Sequence, residues 1–325
     1  MAKHLLNRRQ FGARCAALSL SASSAMMAVQ ASAQVLDTGA ESKPAARTVK
    51  FPDGTTVPAL GQGSWHLGQG RHRLSVEEEA MRTGIALGMT VIDTSRNYGD
   101  GLSEKFIGRV IAGQRDRVFL VSKVQEDEIV QRAGATGAGE PPVLVPKGDV
   151  ITRLCEQSLA RLGTDYLDLY LLHSPVPRRY LSGVVAKFEQ LRAAGKIRAW
   201  GVSNFNVDQM EELFRVPDGH RCATNQVSYS LRDRRIEHDV LPWCQQHNMP
   251  VMAASPLGGI EYARQLLGER TLAELGAMHG CSPAAVALAF VIRSGNVIAI
   301  PESGDPAHVK ENAVALSIRW IPSST

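Results

Sequence analysis

Residues 167–203 read "LDLYLLHSPVPRRYLSGVVAKFEQLRAAGKIRAWGVS", and the fold turns on how this stretch divides. Two short apolar runs, 167–173 and 197–203, flank a helix-like segment that closes in "LRAAGK", with Gly195 just past its end. Runs this short and this apolar suit strands buried on both faces. The same pattern recurs at 58–63 ("PALGQG"), Val91-Ile92, 118–122 ("VFLVS"), 222–227 ("CATNQV"), 251–255 ("VMAAS") and 297–300 ("VIAI"). Between these runs lie helix starts. Ser75-Val76-Glu77-Glu78 reads as a capping box, Asp149 precedes "VITRLCEQSLARL", and Ser282-Pro283 opens "AAVALAFVIR". Eight strand–helix alternations predict an α/β protein built as a (β/α)8 TIM barrel, with its chemistry at the C-terminal ends of the strands. An open doubly wound sheet is the second choice. It calls for a glycine fingerprint at the first turn, which "GQGSWHLG" (61–68) does not supply. Ahead of the first run, Pro52-Asp53-Gly54 separates two β-like segments and predicts an N-terminal hairpin.

The chain divides into three parts. Residues 1–33 carry Lys3, Arg8, Arg9 and Arg14, no acidic residue, a short weakly apolar run and then Ala31-Ser32-Ala33, the order of a signal peptide. Arg8-Arg9 followed by Gln10-Phe11 resembles the twin-arginine type, which is read by the exporter of folded proteins. The expected destination is therefore periplasmic or otherwise exported, with the twin-arginine machinery as a partner. Residues 34–46 read as a flexible linker, and 47–325 as the barrel.

Removing the four N-terminal cations from a formal net charge of +4 leaves the remaining chain near neutrality. No basic stripe with interleaved aromatics is present, which argues against a nucleic-acid partner. No later apolar run has the length of about 20 residues that a membrane span needs. Cys155, Cys222, Cys244 and Cys281 are scattered without C-x-x-C spacing, so no zinc site or disulfide framework is expected and buried reduced thiols are the default.

The strand ends carry the chemistry. Asp93 and Tyr98 follow the second run, Lys123 ends the third and His173 ends the fourth, so four ionisable groups converge on one mouth. Each alone has a bland reading as a boundary or scaffolding residue; four in order on consecutive strands do not. The set suits carbonyl reduction. Hydride arriving at a carbonyl carbon puts negative charge on the oxygen, which then needs a proton. A tyrosine of ordinary pKa, about 10, is a reluctant donor. A neighbouring ammonium favours its phenolate, a carboxylate anchors that ammonium, and a neutral imidazole can orient the carbonyl.

These residues sit in "LGQGSWHLG", "VIDTSRNYGDGLSE", "VSKV", "DYLDLYLLHSP", "GKIRAWGVSNF", "NQVSYSL", "ASPLGG" and "IPESGDPAHVKENA", which together resemble the aldo-keto reductases over essentially the whole chain after the signal. The segment 222–257 is most similar to the bacterial branch that includes methylglyoxal reductases. The resemblance implies an NAD(P)H-dependent oxidoreductase acting on a small aldehyde or ketone, with no metal. It assigns the tetrad to Asp93, Tyr98, Lys123 and His173. It places Ser203, Asn204 and Gln226 on the nicotinamide carboxamide, Gly63, Ser64 and Trp65 beside cofactor and substrate, Ser255 and Leu257 along the cofactor, and Glu302, Ser303, His308 and Asn312 at the adenosine end.

Four departures from the family pattern follow. Ala254 stands where an aromatic usually stacks on the nicotinamide. "IPKS" reads Ile300-Pro301-Glu302-Ser303, and the family's arginine in the next helix is His308. The chain stops at "LSIRWIPSST", before the family's final helix and covering loop, which reads as an apparent truncation. Glu302 in place of a phosphate-binding lysine predicts preference for NADH, or at least relaxed selectivity against NADPH. With Ala254 and the short end, a cofactor-binding sensor or interaction subunit with little turnover stands as the alternative to an enzyme.

Overall fold

The computed structural model describes residues 5–7, 47–133, 143–146 and 149–321. Eight short strands form one parallel sheet: β1 (Gln62–Gly63), β2 (Val91–Asp93), β3 (Phe119–Val124), β4 (Leu167–Leu172), β5 (Ile197–Ser203), β6 (Asn225–Ser228), β7 (Val251–Ala254) and β8 (Val297–Ala299). Each strand pairs in parallel with its neighbours in sequence, so the strand order around the sheet follows the chain. The sheet closes on itself through Gly61 N to Ala299 O (2.8 Å), Ala299 N to Ala59 O (2.9 Å) and Gly63 N to Pro301 O (2.9 Å). Gly61 lets β1 lie close against β2, since a Cβ there would stand 2.5 Å from the Val91 carbonyl oxygen.

Among the described residues the longer helices are α1 (Leu74–Ala86), α2 (Leu102–Ile111), α3 (Val150–Leu162), α4 (Arg178–Ala193), α5 (Val207–Phe214), α6 (Val240–Gln246), α7 (Gly259–Leu267), α8 (Arg270–Met278), α9 (Pro283–Val291) and α10 (Pro306–Ala313). The expected barrel is therefore formed, its strands within a few residues of the sequence reading. The run 222–227 joins β5 from Ala223 onward, through Ala223 N to Trp200 O (2.8 Å) and Val202 N to Thr224 O (3.0 Å), directly after the tight turn Gly219–Arg221. The buried strands share a core with the apolar faces of the helices; α9 is buried almost all round, as its composition demands. Tyr170, Phe188 and Trp200 pack in sequence between β4, α4 and β5, the first pair edge to face and the second tilted, with centroids 5.7 and 5.6 Å apart.

The N-terminal hairpin is present, Thr48–Lys50 pairing antiparallel with Thr56–Pro58. Phe51 in its turn stacks on Phe119 at the start of β3 (5.2 Å), so the hairpin covers the end of the barrel opposite the strand C-termini. One helix start and one helix end form as expected. Ser282 caps α9 by accepting from Ala285 N, and Gly195 sits at φ +71° beyond α4. The capping box at Ser75 does not form. Helix α1 begins two residues earlier, with Arg73 at its N-cap and no side-chain cap, and Glu77 turns inward, fully buried, to accept from Gly68 N (2.8 Å). After β3, Val130–Ala133 and Val143–Pro146 pair as an antiparallel ribbon, with Arg96 in an ion pair with Glu128 at its base.

All four cysteines from Cys155 onward are free. Burial pushes the thiols of Cys155, Cys222 and Cys244 up to about 12, so they stay protonated and inert at neutral pH. Apart from Leu5–Asn7, which runs parallel to Arg319–Ile321, the expected signal and linker lie outside the described residues. Among the described residues no single helix is long and apolar enough to cross a membrane.

Candidate active site

A cavity of about 570 Å³ opens at the C-terminal ends of the strands. Its floor holds the tetrad. Asp93 is the last residue of β2, and Lys123 lies on β3 two residues beyond Val121, the cross-strand partner of Asp93. The lysine is 0% exposed, and its Nζ donates to Asp93 Oδ1 (2.6 Å), Thr94 O (2.9 Å) and the Tyr98 hydroxyl (3.1 Å). All three ammonium donors are thus satisfied, the condition for keeping a charge buried.

Tyr98 reaches this point because the chain turns sharply after β2. Tyr98–Gly101 forms a single tight turn in which Gly99, Asp100 and Gly101 all have positive φ. Gly99 suits the turn: its φ is +55°, a left-handed conformation that glycine adopts without cost, and the Gln69 side chain packs where a Cβ would stand. His173 follows β4 and meets the Tyr98 ring edge-on, centroids 6.0 Å apart. Its Nδ1 is buried without a partner among the described residues.

The electrostatics sort the roles. Burial lowers the Lys123 pKa, but the Asp93 carboxylate and the Tyr98 phenol more than reverse this, so the group sits above its ordinary value and stays charged. Burial, with the Lys123 ammonium adding to it, pulls His173 down to about 3, so its imidazole is neutral at physiological pH as expected. Tyr98 departs from the sequence reading. Lys123 does pull its phenol down, yet burial pushes it up by more, and the net value lies above the ordinary one. The resting site therefore holds a protonated tyrosine rather than a partly ionised one.

The opposite wall is built by β5, β6 and β7. Gln226 Nε2 donates to Asp93 Oδ2 (2.8 Å), while its amide oxygen has no partner among the described residues and the side chain lines the cavity. Ser203 Oγ donates to Gln226 O (2.8 Å), and Asn204 Nδ2 donates to His173 O (3.1 Å). Asn204 and Ser255 hold positive φ, +63° and +47°, at the ends of β5 and β7; such strained residues gather at functional mouths. The Gln226 side-chain amide and the His173 ring, both lining the cavity beside Tyr98, fit a nicotinamide with a carbonyl compound beside it.

The cavity gathers Gly63, Ser64, Trp65, Asp93, Tyr98, His173, Ser203, Asn204, Gln226, Ser255, Leu257 and Glu302, with Lys123 buried beneath. Ser64 Oγ donates to Asp93 O (3.0 Å). Ser303, His308 and Asn312 do not line it. Ser303 accepts from Asp305 N at the approach to α10, His308 is exposed on that helix, and Asn312 is buried in it. Ala254 lines the cavity, so the position expected to carry an aromatic contributes open space. Sequence reading missed His66, Gln125 and Ile260, which also line it; the exposure of Ile260 is a signal only the fold reveals. Among the described residues no cluster of His, Cys, Asp or Glu could hold a metal ion.

Comparison with known proteins places this geometry in context. Residues 59–323 match the Aldo/keto reductase family. Methylglyoxal reductase YeaE of Escherichia coli is 44% identical over 273 residues, covering 84% of this chain and 90% of the relative. The crystal structure of an aldo/keto reductase from Klebsiella pneumoniae in complex with NADP and acetate superposes with a TM-score of 0.75 at 43% identity, covering 84% of this chain and 91% of that one. A further aldo-keto reductase structure from Klebsiella pneumoniae, in complex with NADPH, gives a TM-score of 0.75 at 42% identity, with 84% and 90% covered.

Proposed function

The chain belongs to the aldo/keto reductase family, and on that basis we propose that it reduces a small aldehyde or ketone with Tyr98 as the proton donor. The observation that carries the reading is the 3.1 Å bond from fully buried Lys123 to the Tyr98 hydroxyl on the cavity floor. A nicotinamide dinucleotide, when bound, supplies the hydride. Gln226 offers its free amide oxygen to the carboxamide, with Ser203 and Asn204 beside it. Neutral His173 orients the carbonyl oxygen toward Tyr98. As charge grows on that oxygen the phenol gives up its proton, and the Lys123 ammonium, held by Asp93, stabilises the phenolate that remains.

The 44% identity to a methylglyoxal reductase supports a 2-oxoaldehyde as substrate. Following NAD(P)H oxidation with methylglyoxal and a panel of aromatic aldehydes and ketones tests this. Saturable turnover is expected, and tight dinucleotide binding with none would favour the sensor instead.

For the dinucleotide, the reading is NADPH with relaxed selectivity. The complexes of the Klebsiella relatives support the phosphorylated form. The preference for NADH expected from Glu302 loses its main support, because both carboxylate oxygens are engaged by His66. Comparing kcat/KM for the two dinucleotides checks this; a preference for NADH above about tenfold would overturn it.

Export through Arg8-Arg9 rests on the sequence alone. Replacing both with lysine should leave uncleaved protein in the cytoplasm, and a full-length cytoplasmic product of the native gene would refute the localisation.

A further inference from the structure

One carboxylate at the mouth has a role that the tetrad does not explain. Glu302 follows β8, and its side chain is 24% exposed. His66 gives it two hydrogen bonds, from the backbone N to Oε2 (2.9 Å) and from Nδ1 to Oε1 (2.9 Å). A carboxylate only accepts, so Nδ1 carries the hydrogen. The pair spans 236 positions of sequence and ties the loop after β1 to the segment after β8, across the seam where the barrel closes.

The seam is tight at this point. A Cβ on Gly63 would stand 3.0 Å from Ile300 O and 3.7 Å from the Glu302 Cβ. The His66 ring stacks on Trp65 (4.5 Å, 27°), and the Trp65 ring lies 6.3 Å from that of Tyr98. Trp65 is 55% exposed, so burial does little to fix it, and the His66 ring is the surface it stacks on. Holding the His66 backbone N–H constrains the loop itself, and holding the ring constrains the surface on which Trp65 stacks.

We infer that Glu302 is a positioning residue for the substrate wall: through His66 it holds Trp65 beside the proton donor Tyr98. This rests on the proposed carbonyl reduction. It gives the residue at the family's phosphate-binding position a different task, which the two hydrogen bonds to His66 perform without the dinucleotide. Large apolar carbonyl compounds, which need the indole as a wall, depend on it most.

Glu302→Ala, Glu302→Gln and His66→Phe test the assignment. Glu302→Ala should raise KM for an aromatic aldehyde about tenfold while kcat falls less than about threefold. Acrylamide quenching of Trp65, isolated by difference against Trp65→Phe, should increase. Glu302→Gln, which keeps one acceptor oxygen for the backbone N–H, should recover part of both effects. The ratio of kcat/KM for NADPH and NADH should stay within about twofold of wild type. Unchanged Trp65 quenching, or an effect confined to the dinucleotide ratio, would overturn the inference. Should Glu302→Ala not fold, His66→Phe keeps a ring to stack and loses the Nδ1 donor; it should move KM and quenching the same way, and no movement in either refutes the assignment. Quenching needs no turnover, so it still decides the point if the chain proves inactive and the proposed reaction fails.

Discussion

Gln226 donates a 2.8 Å hydrogen bond from its side-chain amide to Asp93 Oδ2, joining β6 to β2 across the barrel mouth. Asp93 is thus held from both sides, by Lys123 on one oxygen and by Gln226 on the other. The group expected to meet the nicotinamide carboxamide also supports the proton donor.

Gln226→Leu should accordingly affect both functions. It strands a buried carboxylate oxygen, a stability cost of about 1–3 kcal/mol, and it should lower kcat and weaken dinucleotide binding together. Gln226→Glu places a second carboxylate against Asp93, so the pair must share a proton and kcat acquires a new pH dependence. Steady-state kinetics across pH check both, and wild-type kcat in the two variants would contradict this role.

The activity profile should lack a histidine limb. His173 is pulled down to about 3 by burial and the Lys123 ammonium, so its protonation state does not change between pH 6 and 9. The Tyr98 phenol lies above its ordinary value, which moves the alkaline limb upward as well. A flat kcat/KM over the neutral range is the expected measurement. An acidic limb near an ordinary histidine value of about 6.5 that disappears in His173→Gln would contradict the site.

Much of this was legible in the sequence for a physical reason. Buried parallel strands must be short and apolar, so Leu167–Leu172 and Ile197–Ser203 announced themselves, and an ionisable residue ending such a run stands out. Asp93, Lys123 and His173 were legible in that way. The pairings that complete the site were not. Gln226–Asp93 and His66–Glu302 join residues 133 and 236 positions apart, and both depend on the sheet closing. Ser75 misled for the opposite reason. The local pattern of a capping box was present, but the helix starts ahead of it with Arg73 at the N-cap, so Ser75 lies inside the helix and Glu78 pairs with Arg109 instead.

Acid should destabilise the fold in two windows. Between about pH 6.5 and 3 the unfolded chain protonates His173 and the folded chain does not, so stability falls as pH is lowered through that range. Glu237 acts lower down. Burial pushes its carboxyl up, but hydrogen bonds from Arg234, Tyr229 and Arg293 outweigh this and bring it to about 2. Its contribution is present above its ordinary value of 4.5 and is lost as pH falls toward 2. Glu237→Gln should cost about 1–3 kcal/mol at neutral pH and flatten the lower window. Urea unfolding at several pH values reads both effects, and unchanged stability would show that the network contributes nothing.

The account stands on Tyr98 as the proton donor, and single-turnover carbonyl reduction by Tyr98→Phe tests it most directly. The variant keeps the ring and loses only the hydroxyl that Lys123 contacts at 3.1 Å. The expected result is a fall in the reduction rate of at least about 10²-fold with the dissociation constant of the dinucleotide nearly unchanged. Retention of most of the wild-type rate would contradict the assignment.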